Sequence, residues 1–174
     1  MKTLIIFSSQ TGFTKRYAEW IAEETDAELI SLSRAKKKNA DYFDTYDAIL
    51  YGGWTMAGRV VKADWYFKRA EKWKDKKLLV FCVGASPMEN PEIQTALDNM
   101  LTSEQKEFIK IFYCPGGIAY DKMNLFSRLA MKAFASALKK DADPDKQKQG
   151  AIISESYDIA DKQYIQPILG ELKK

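Results

Sequence analysis

Six consecutive residues near the start of the chain have the composition of a phosphate-binding loop: Ser9-Gln10-Thr11-Gly12-Phe13-Thr14. The hydroxyl groups at 9, 11 and 14 can each donate a hydrogen bond to a phosphate oxygen. Gly12 allows the backbone to approach a ligand closely and to adopt a conformation closed to other residues. The segment follows an apolar run and precedes a helical pattern, so the free N–H groups of the helix start would complete an anion site. The turn itself contains no Lys or Arg, and this chemistry suits a tightly held phosphomonoester that is not transferred.

Two other phosphate-binding loops are excluded by the spacing of the glycines. The sequence has neither the Gly-x-x-x-x-Gly-Lys-Ser/Thr of P-loop nucleotide hydrolases nor the Gly-x-Gly-x-x-Gly of dinucleotide-binding folds. A structural alternative stays open at this point. The hydroxyl-rich turn would then only cap the following helix, through Thr11 or Thr14.

The composition of the chain excludes several further chemistries. The 174 residues include no histidine, which rules out Ser-His-Asp and Cys-His triads, an imidazole base and the usual zinc site. Cys82 and Cys114 lie far apart in or at the end of apolar runs, so we expect two buried thiols in a reducing cytoplasm and no metal site. The net charge of +3, from 27 basic and 24 acidic residues, does not by itself indicate nucleic-acid binding. No apolar stretch is long enough to span a membrane.

The elements that must position the loop alternate between strands and helices. Continuous apolar runs predict strands at 4–7, 28–32, 48–51, 78–83 and 109–113, and apolar stripes predict helices at 14–24, 60–73, after Asn90-Pro91 and at 157–172. The stretch 34–46 is a polar connector. This alternation predicts a single α/β domain over residues 1–174, a doubly wound five-stranded parallel sheet in three α/β/α layers. Residues 118–153 are too long for a simple connection and are interpreted as an insertion next to the fifth strand.

The segment from Ile5 to Ile21 resembles the flavodoxin signature along its whole length. The matching features are an aliphatic pair, an aromatic residue, the hydroxyl-rich loop 9–14, and Ala18 with Ile21 on the following helix. The resemblance implies a flavodoxin-like fold that holds the phosphate of FMN with residues 9–14. FMN is favoured over FAD because a one-domain chain has no evident half for an adenosine.

The resemblance also implies that the flavin ring lies between the loops that follow the third and fourth strands. In the first loop we expect contacts from six residues, with Trp54 and Met56 covering an apolar ring face: Gly53, Trp54, Thr55, Met56, Ala57 and Gly58. Gly58 permits a turn in which a backbone carbonyl faces flavin N5, and Arg59 either points inward or is solvated. In the second loop, Gly84, Ala85 and Ser86 would let backbone amides reach the pyrimidine edge. The loop 84–90 has neither Tyr nor Trp, so one face of the flavin is expected to be open.

The insertion carries a basic amphipathic helix. Its apolar stripe runs from Phe126 to Leu138, and Lys and Arg residues between 122 and 140 occupy the rest. Three roles are open: the helix lies on an anionic membrane through 122–140, it covers a site for an anionic and apolar substrate, or it packs on its own sheet with a solvated basic face. The expected location is cytoplasmic, with peripheral contact at the inner face of the membrane in the first case.

Charge separates the candidate functions. Flavodoxins that shuttle electrons are strongly acidic, whereas this chain is at +3. The closest resemblance is to the short flavodoxin-domain proteins related to menaquinone-dependent protoporphyrinogen IX dehydrogenase, through the opening Met-Lys-Thr-Leu-Ile, the phosphate loop and the insertion around Tyr120. It implies electron transfer through non-covalent FMN, with a quinone or a tetrapyrrole as the small-molecule partner. The alternatives are a one-electron flavodoxin carrier and a flavin-free, partner-binding module of the same fold. These patterns leave the oligomeric state open.

Overall fold

Five of the strands form a parallel sheet, as a computed structural model covering residues 1–174 shows. Their order across the sheet is β2-β1-β3-β5-β6, and the two-residue β4 pairs antiparallel with the end of β3. The strands are β1 (Thr3–Phe7), β2 (Glu28–Ser31), β3 (Ala48–Met56), β4 (Arg59–Val60), β5 (Lys77–Gly84) and β6 (Ile109–Pro115). This order is that of the flavodoxin-like doubly wound sheet, and it confirms the predicted fold class.

Helices cover both faces of the sheet. Because side chains alternate along a strand, Leu4 and Ile6 join one core while Ile5 joins the other. The helices are α1 (Phe13–Thr25), α2 (Leu32–Ala35), α3 (Ala40–Asp44), α4 (Asp64–Ala70), α5 (Glu92–Met100), α6 (Ser103–Lys106), α7 (Leu125–Lys139), α8 (Pro144–Ile152) and α9 (Gln166–Leu172). The helices α1 and α9 bury their apolar residues on one face, and α4 buries Tyr66 and Ala70 on the other. The three-layer arrangement is therefore as predicted.

The third strand is longer than predicted and ends in a hairpin. It continues past the expected end at 51 to Met56, and β4 returns beside it. The two residues between them, Ala57 and Gly58, have φ values of 49° and 72°. Positive φ at both central positions is the geometry of the two-residue hairpin turn that suits the twist of the strands. The prediction of a helix over 60–73 was wrong at its start, because residues 59–60 belong to this hairpin and α4 begins only at Asp64.

The predicted closing helix at 157–172 is helical only in its second half. Tyr157–Asp158 form β8, a short 3₁₀ turn follows at Lys162–Ile165, and α9 begins at Gln166. Pro167 lies in the first turn of α9, where a missing N–H group breaks no helical hydrogen bond. The polar connector 34–46 contains α2 and α3, and Asn39 caps α3 by accepting from the Tyr42 N–H. Both short helices were missed because polar caps, and not apolar stripes, begin them.

The insertion forms a small unit of its own beside the sheet. Its strand β7 (Gly117–Ile118) pairs antiparallel with β8, and α7 packs on α8. Ile118, Ala135 and Ile153 are the buried centre of this unit. A Cβ on Gly150 would lie 2.8 Å from the carbonyl oxygen of Ala135, so the two helices approach closely there. The helix α7 therefore packs on α8, and not on the main sheet as one of the three roles considered for it required.

Both cysteines are buried free thiols, as expected, and burial raises the pKa of the Cys82 thiol to about 12. No helix combines the length and the apolar character that crossing a membrane requires.

Candidate functional site

The loop at 9–14 forms an anion cradle between β1 and α1. Gly12, which precedes α1, has a φ of 102°, in the range that disfavours any residue with a side chain. The Ser9 hydroxyl oxygen accepts a hydrogen bond from the Gly12 N–H at 3.2 Å, which closes the turn. No atom lies within 4 Å of the position that a Cβ on Gly12 would take, so the space beside the turn is open to a ligand.

Several N–H groups of this cradle have no partner in the protein. No hydrogen bond is donated by the backbone amides of Thr11, Phe13, Thr14 and Lys15, and no side chain caps α1. The alternative that Thr11 or Thr14 only caps the helix is therefore excluded. Orphan amides at a helix start attract an anion, and the helix dipole adds to the attraction.

The two cations that follow the loop are already paired with carboxylates. Lys15 Nζ lies 3.1 Å from Glu19 Oε1, and Arg16 Nη1 lies 2.7 Å from Asp158 Oδ2. Both side chains are therefore engaged with carboxylates in this structure. The groups of the cradle that remain for an anion are its free amides and its hydroxyls.

The hairpin at the end of β3 forms a second wall of the site. Trp54 and Thr55 are half-buried, and Met56 at the strand end is 58% exposed. The Lys62 ammonium lies 5.9 Å from the centre of the Trp54 ring. Arg59 is exposed and has no carboxylate partner, so of the two roles considered for it the structure shows the solvated one. This wall offers apolar and aromatic surface rather than charge.

The loop at 84–86 forms a third wall and is held by two phenols. Tyr113 Oη donates to the Ser86 carbonyl and Tyr157 Oη donates to the Ala85 carbonyl, each at 2.7 Å. Burial raises the pKa of both phenols, so they remain neutral donors. The amides of Ala85 and Ser86 donate no hydrogen bond and are free for a ligand.

Gly84 is the closest packing point of this loop. A Cβ there would lie 2.5 Å from Tyr113 Oη and 2.9 Å from Thr55 Oγ1. Only glycine allows the end of β5, the hairpin and β6 to meet at this spacing. The geometry of this loop thus depends on the absence of a side chain at Gly84.

All three walls open onto one cavity of about 430 Å³. This volume lies in the range of small-molecule and cofactor sites. Ten of the predicted site residues line it: Gln10, Thr11, Phe13, Thr14, Trp54, Thr55, Met56, Ala57, Gly84 and Ala85. The other five predicted residues do not line it and lie next to lining residues in the chain: Ser9, Gly12, Gly53, Gly58 and Ser86.

The fourth wall comes from the insertion. Its residues were not among the predicted site residues, although covering a substrate site was one of the three roles considered for its helix. Six residues around the first turns of α7 line the cavity: Met123, Phe126, Ser127, Ala130, Met131 and Phe134. The Gln10 amide donates to the Ser127 hydroxyl at 3.3 Å and ties this helix to the phosphate loop. The apolar stripe of α7 was visible in the sequence, but nothing local says which surface it faces. Val83, Gly117 and Ile118 complete the lining.

The expectation of an open flavin face changes with this wall. The loop 84–90 indeed has no Tyr or Trp, but Phe126 and Phe134 of α7 bring aromatic rings to the same cavity. The structure therefore places part of the apolar side of the basic helix at the site, whereas Leu125 and Leu129 face away from the cavity. Phe126 is still 80% exposed, so the cover is partial.

A second cavity, about 570 Å³, lies beside β6 at the free edge of the sheet. Its walls include Ile93 and Leu97 of α5 and Tyr164 near α9. It contains none of the predicted site residues and no anion cradle. We therefore take the 430 Å³ cavity as the candidate ligand site, although it is the smaller of the two.

The residues present fit FMN. The cradle at 9–14 matches a phosphomonoester, the free amides at 85 and 86 match the hydrogen-bonding edge of a pyrimidine, and Trp54 with the α7 aromatics offers surface for a flat ring. Bound FMN supplies one- or two-electron transfer, and the protein supplies binding and orientation.

The comparison with known families agrees with this geometry. A family model described as the flavodoxin domain matches residues 4–145. A comparison with curated proteins gave no match.

Solved structures with a similar chain path include three flavodoxin-type proteins. A WrbA-like flavodoxin of Agrobacterium tumefaciens is 22% identical, with 73% of this chain and 87% of that chain covered and a TM-score of 0.42. Two-electron-reduced flavodoxin of Megasphaera elsdenii is 17% identical, with 87% and 98% covered and a TM-score of 0.45. A flavoprotein of Lactobacillus acidophilus in complex with FMN is 22% identical, with 66% and 91% covered and a TM-score of 0.39.

These three similarities are too distant to carry an argument about function. The domain match is different, because it covers most of the chain, including the phosphate loop, both ring loops and α7. The sheet order and the cradle at the end of β1 are consistent with it. The chain belongs to the flavodoxin domain family.

Proposed function

We propose that this protein binds FMN non-covalently in the 430 Å³ cavity and transfers electrons between the flavin and a small apolar molecule, such as a quinone or a protoporphyrinogen. The observation that carries the proposal is the convergence of three sequence-distant loops with a fourth, apolar wall from α7. A cavity with an anion cradle at one end and aromatic surface at the other suits a phosphorylated flavin.

The cradle supports FMN binding against a flavin-free module of the same fold. Gly12 is held at a φ of 102° and four amide donors are left without partners. Glycine adopts this φ without strain, so the turn is compatible with the residue that forms it. An anion at the start of α1 can accept hydrogen bonds from several of these amides at once.

The α7 wall favours an oxidoreductase over an electron carrier. Phe126, Met131 and Phe134 place apolar and aromatic surface over the site, where a second flat molecule can lie against the flavin. The net charge of +3 gives no long-range attraction to a basic protein partner. A small reactant of low polarity is consistent with the apolar surface of α7 and with the absence of a strong negative charge.

The test of cofactor binding compares FMN with riboflavin, which lacks the phosphate. Titration of the flavin-free protein, followed by quenching of flavin fluorescence, should give much tighter binding of FMN. Thr11→Ala should weaken the binding of FMN but not of riboflavin, and should therefore reduce the difference between their affinities. Equal affinities for FMN and riboflavin in the unaltered protein would place the phosphate outside the cradle and refute the assignment.

The test of the reaction is anaerobic photoreduction of the FMN-loaded protein, followed by visible spectroscopy. Direct passage to the fully reduced flavin supports the oxidoreductase when that flavin is reoxidised by a naphthoquinone, or when the oxidised flavin is reduced by a protoporphyrinogen. Phe134→Ala should then raise KM for the reactant, with FMN retained. Accumulation of a one-electron-reduced form without turnover of either reactant would assign the protein as a carrier.

A further inference from the structure

The outer face of α7 carries a row of exposed apolar side chains. Four of the eight large hydrophobic side chains that are exposed in the whole chain lie on this one helix. Leu125 is 69% exposed, Leu129 is 59% exposed, and Phe126 and Phe134 are also more than half exposed. Isolated exposed apolar residues are ordinary, but a row of them on a 15-residue helix marks an interaction surface.

The same segment carries the entire net charge of the protein. Residues 118–153 contain seven Lys and Arg against four Asp, which gives +3, and the other residues balance at 20 of each sign. The helix α7 contains no acidic residue. Its cations Arg128, Lys132 and Lys139 take part in no ion pair, and the buried Nε of Arg128 has no hydrogen-bond partner.

The cations lie along one border of the apolar row. At 100° per residue, Arg128, Lys132 and Lys139 fall within about 40° of one another, next to Leu125 and Leu129 on the helix surface. Long basic side chains at such a border can reach outward to anionic groups while their stems cover apolar surface. An apolar row with one cationic border is the pattern of helices that lie in a lipid–water interface.

We propose that α7 docks on the surface of an anionic lipid bilayer, with Leu125, Phe126 and Leu129 in the headgroup region and the cations against lipid phosphates. A second copy of the chain is disfavoured as the occupant, because pairing two α7 helices would bring six cations together with no carboxylate between them. A bilayer can receive an exposed apolar row with a cationic border without shape complementarity, whereas a folded protein partner would have to present a complementary surface.

The docking surface is continuous with the cavity. Phe126 and Phe134 belong both to the exposed row and to the cavity wall, so a docked α7 would hold the cavity mouth at the bilayer. Lipid-soluble reactants would then reach the site without crossing water. This consequence rests on the proposed function, whereas the docking itself does not.

The experiment is cosedimentation of the purified full chain with vesicles of phosphatidylcholine alone or mixed with phosphatidylglycerol. We expect binding to the anionic vesicles, a loss of binding at high salt, and little binding to the neutral ones. Lys132→Gln/Lys139→Gln should lower the partition coefficient about 30-fold, since each cation near an anionic surface contributes about fivefold. Leu125→Ser/Leu129→Ser should lower it at least about tenfold.

The matched control is Lys36→Gln/Lys37→Gln, which removes the same charge at exposed positions far from α7 in the sequence. It should bind anionic vesicles nearly as well as the unaltered chain. Leu125 and Leu129 do not line the cavity, so FMN affinity and circular dichroism should be unchanged in the leucine variant and exclude misfolding as the cause.

Three outcomes would overturn the proposal. The first is no binding of the unaltered chain to anionic vesicles, and the second is an equal loss in the Lys36/Lys37 control. The third is a concentration-dependent dimer, seen by analytical ultracentrifugation and dissociated by Leu129→Ser, which would assign the face to a second copy. Failure of docking with intact FMN binding would leave the proposed function standing, so the two are separable.

Discussion

Replacing Gly12 by alanine tests the phosphate loop at its most constrained position. Gly12 has φ 102° and ψ −20°, outside the region that residues with a side chain readily occupy. No atom lies within 4 Å of the added Cβ, so a clash with the protein contributes nothing and the whole cost is conformational. That cost is about 1–3 kcal/mol for a residue held in a sparsely populated region.

The expected loss can be read as a shift in melting temperature. For a domain of this size, each 1 kcal/mol corresponds to about 2–4 °C, so Gly12→Ala should lower Tm by about 2–12 °C. Urea unfolding of the flavin-free protein should show the same loss without a change in the slope against denaturant. The variant should also bind FMN more weakly, because the turn at position 12 orients the free N–H groups of residues 13 to 15 and alanine would change its conformation.

A matched control separates conformational strain from the general effect of removing a glycine. Gly170 lies inside α9, has an ordinary φ, and also has no atom within 4 Å of an added Cβ. Gly170→Ala should therefore stabilise the protein by about 0.5–1 kcal/mol, because alanine favours a helix interior. If Gly12→Ala is as stable as the unaltered protein, or if both variants change in the same direction, the loop geometry described above is refuted.

Three further perturbations test other parts of the structure. Thr11→Ala and Thr14→Val should each weaken FMN binding by about 1–3 kcal/mol and leave riboflavin binding unchanged, as fluorescence titration would show; equal losses for both flavins would contradict a phosphate role. Tyr113→Phe leaves the Ser86 carbonyl without its donor, so FMN and riboflavin should both bind more weakly, by about 1 kcal/mol in the same titration, and an effect on FMN alone would be inconsistent with a ring loop. Hydrogen bonds from Tyr42 and Tyr46 hold the pKa of Glu28 below its ordinary value of 4.5, so this carboxylate stabilises the fold above about pH 4.5 and loses that effect as the pH falls through the lowered pKa. Glu28→Gln should flatten the acid side of the stability–pH curve measured by urea unfolding, and an unchanged curve would show that the carboxylate is not linked to folding.

The sequence was sufficient for the sheet and for the edge at which three of its loops meet. Continuous apolar runs such as Leu4–Ile6 are buried on both faces, and only a parallel sheet with helices on each side satisfies them. Once the sheet is parallel, the loops after β1, β3 and β5 must meet at one edge. Local residue types pointed to the phosphate loop, and the resemblance to flavodoxins added the Trp54 and Gly84 loops; the structure brings all three to one cavity.

Local patterns were less informative where backbone conformation departs from the regular periods. The hairpin at Ala57-Gly58 extended β3 and displaced the start of α4, although the apolar residues at 60 and 63 fit a helical stripe. Val60 and Ala63 are both buried, but Val60 lies at the end of a strand and Ala63 lies in a turn. A buried position shows that a residue faces the core and does not show which element carries it.

The tertiary structure alone decided the fourth wall of the site. Gln10 and Ser127 are 117 positions apart in the chain. The hydrogen bond between their side chains forms because the insertion folds back through the contact of α7 with α8 and the pairing of β7 with β8. The stripe on α7 predicted an amphipathic helix, and the sequence left a membrane, a substrate and the sheet as candidates for its apolar side. Helical periodicity fixes the direction of side chains relative to their own axis. The surface that they meet depends on where the whole element packs, and only long-range contacts determine that.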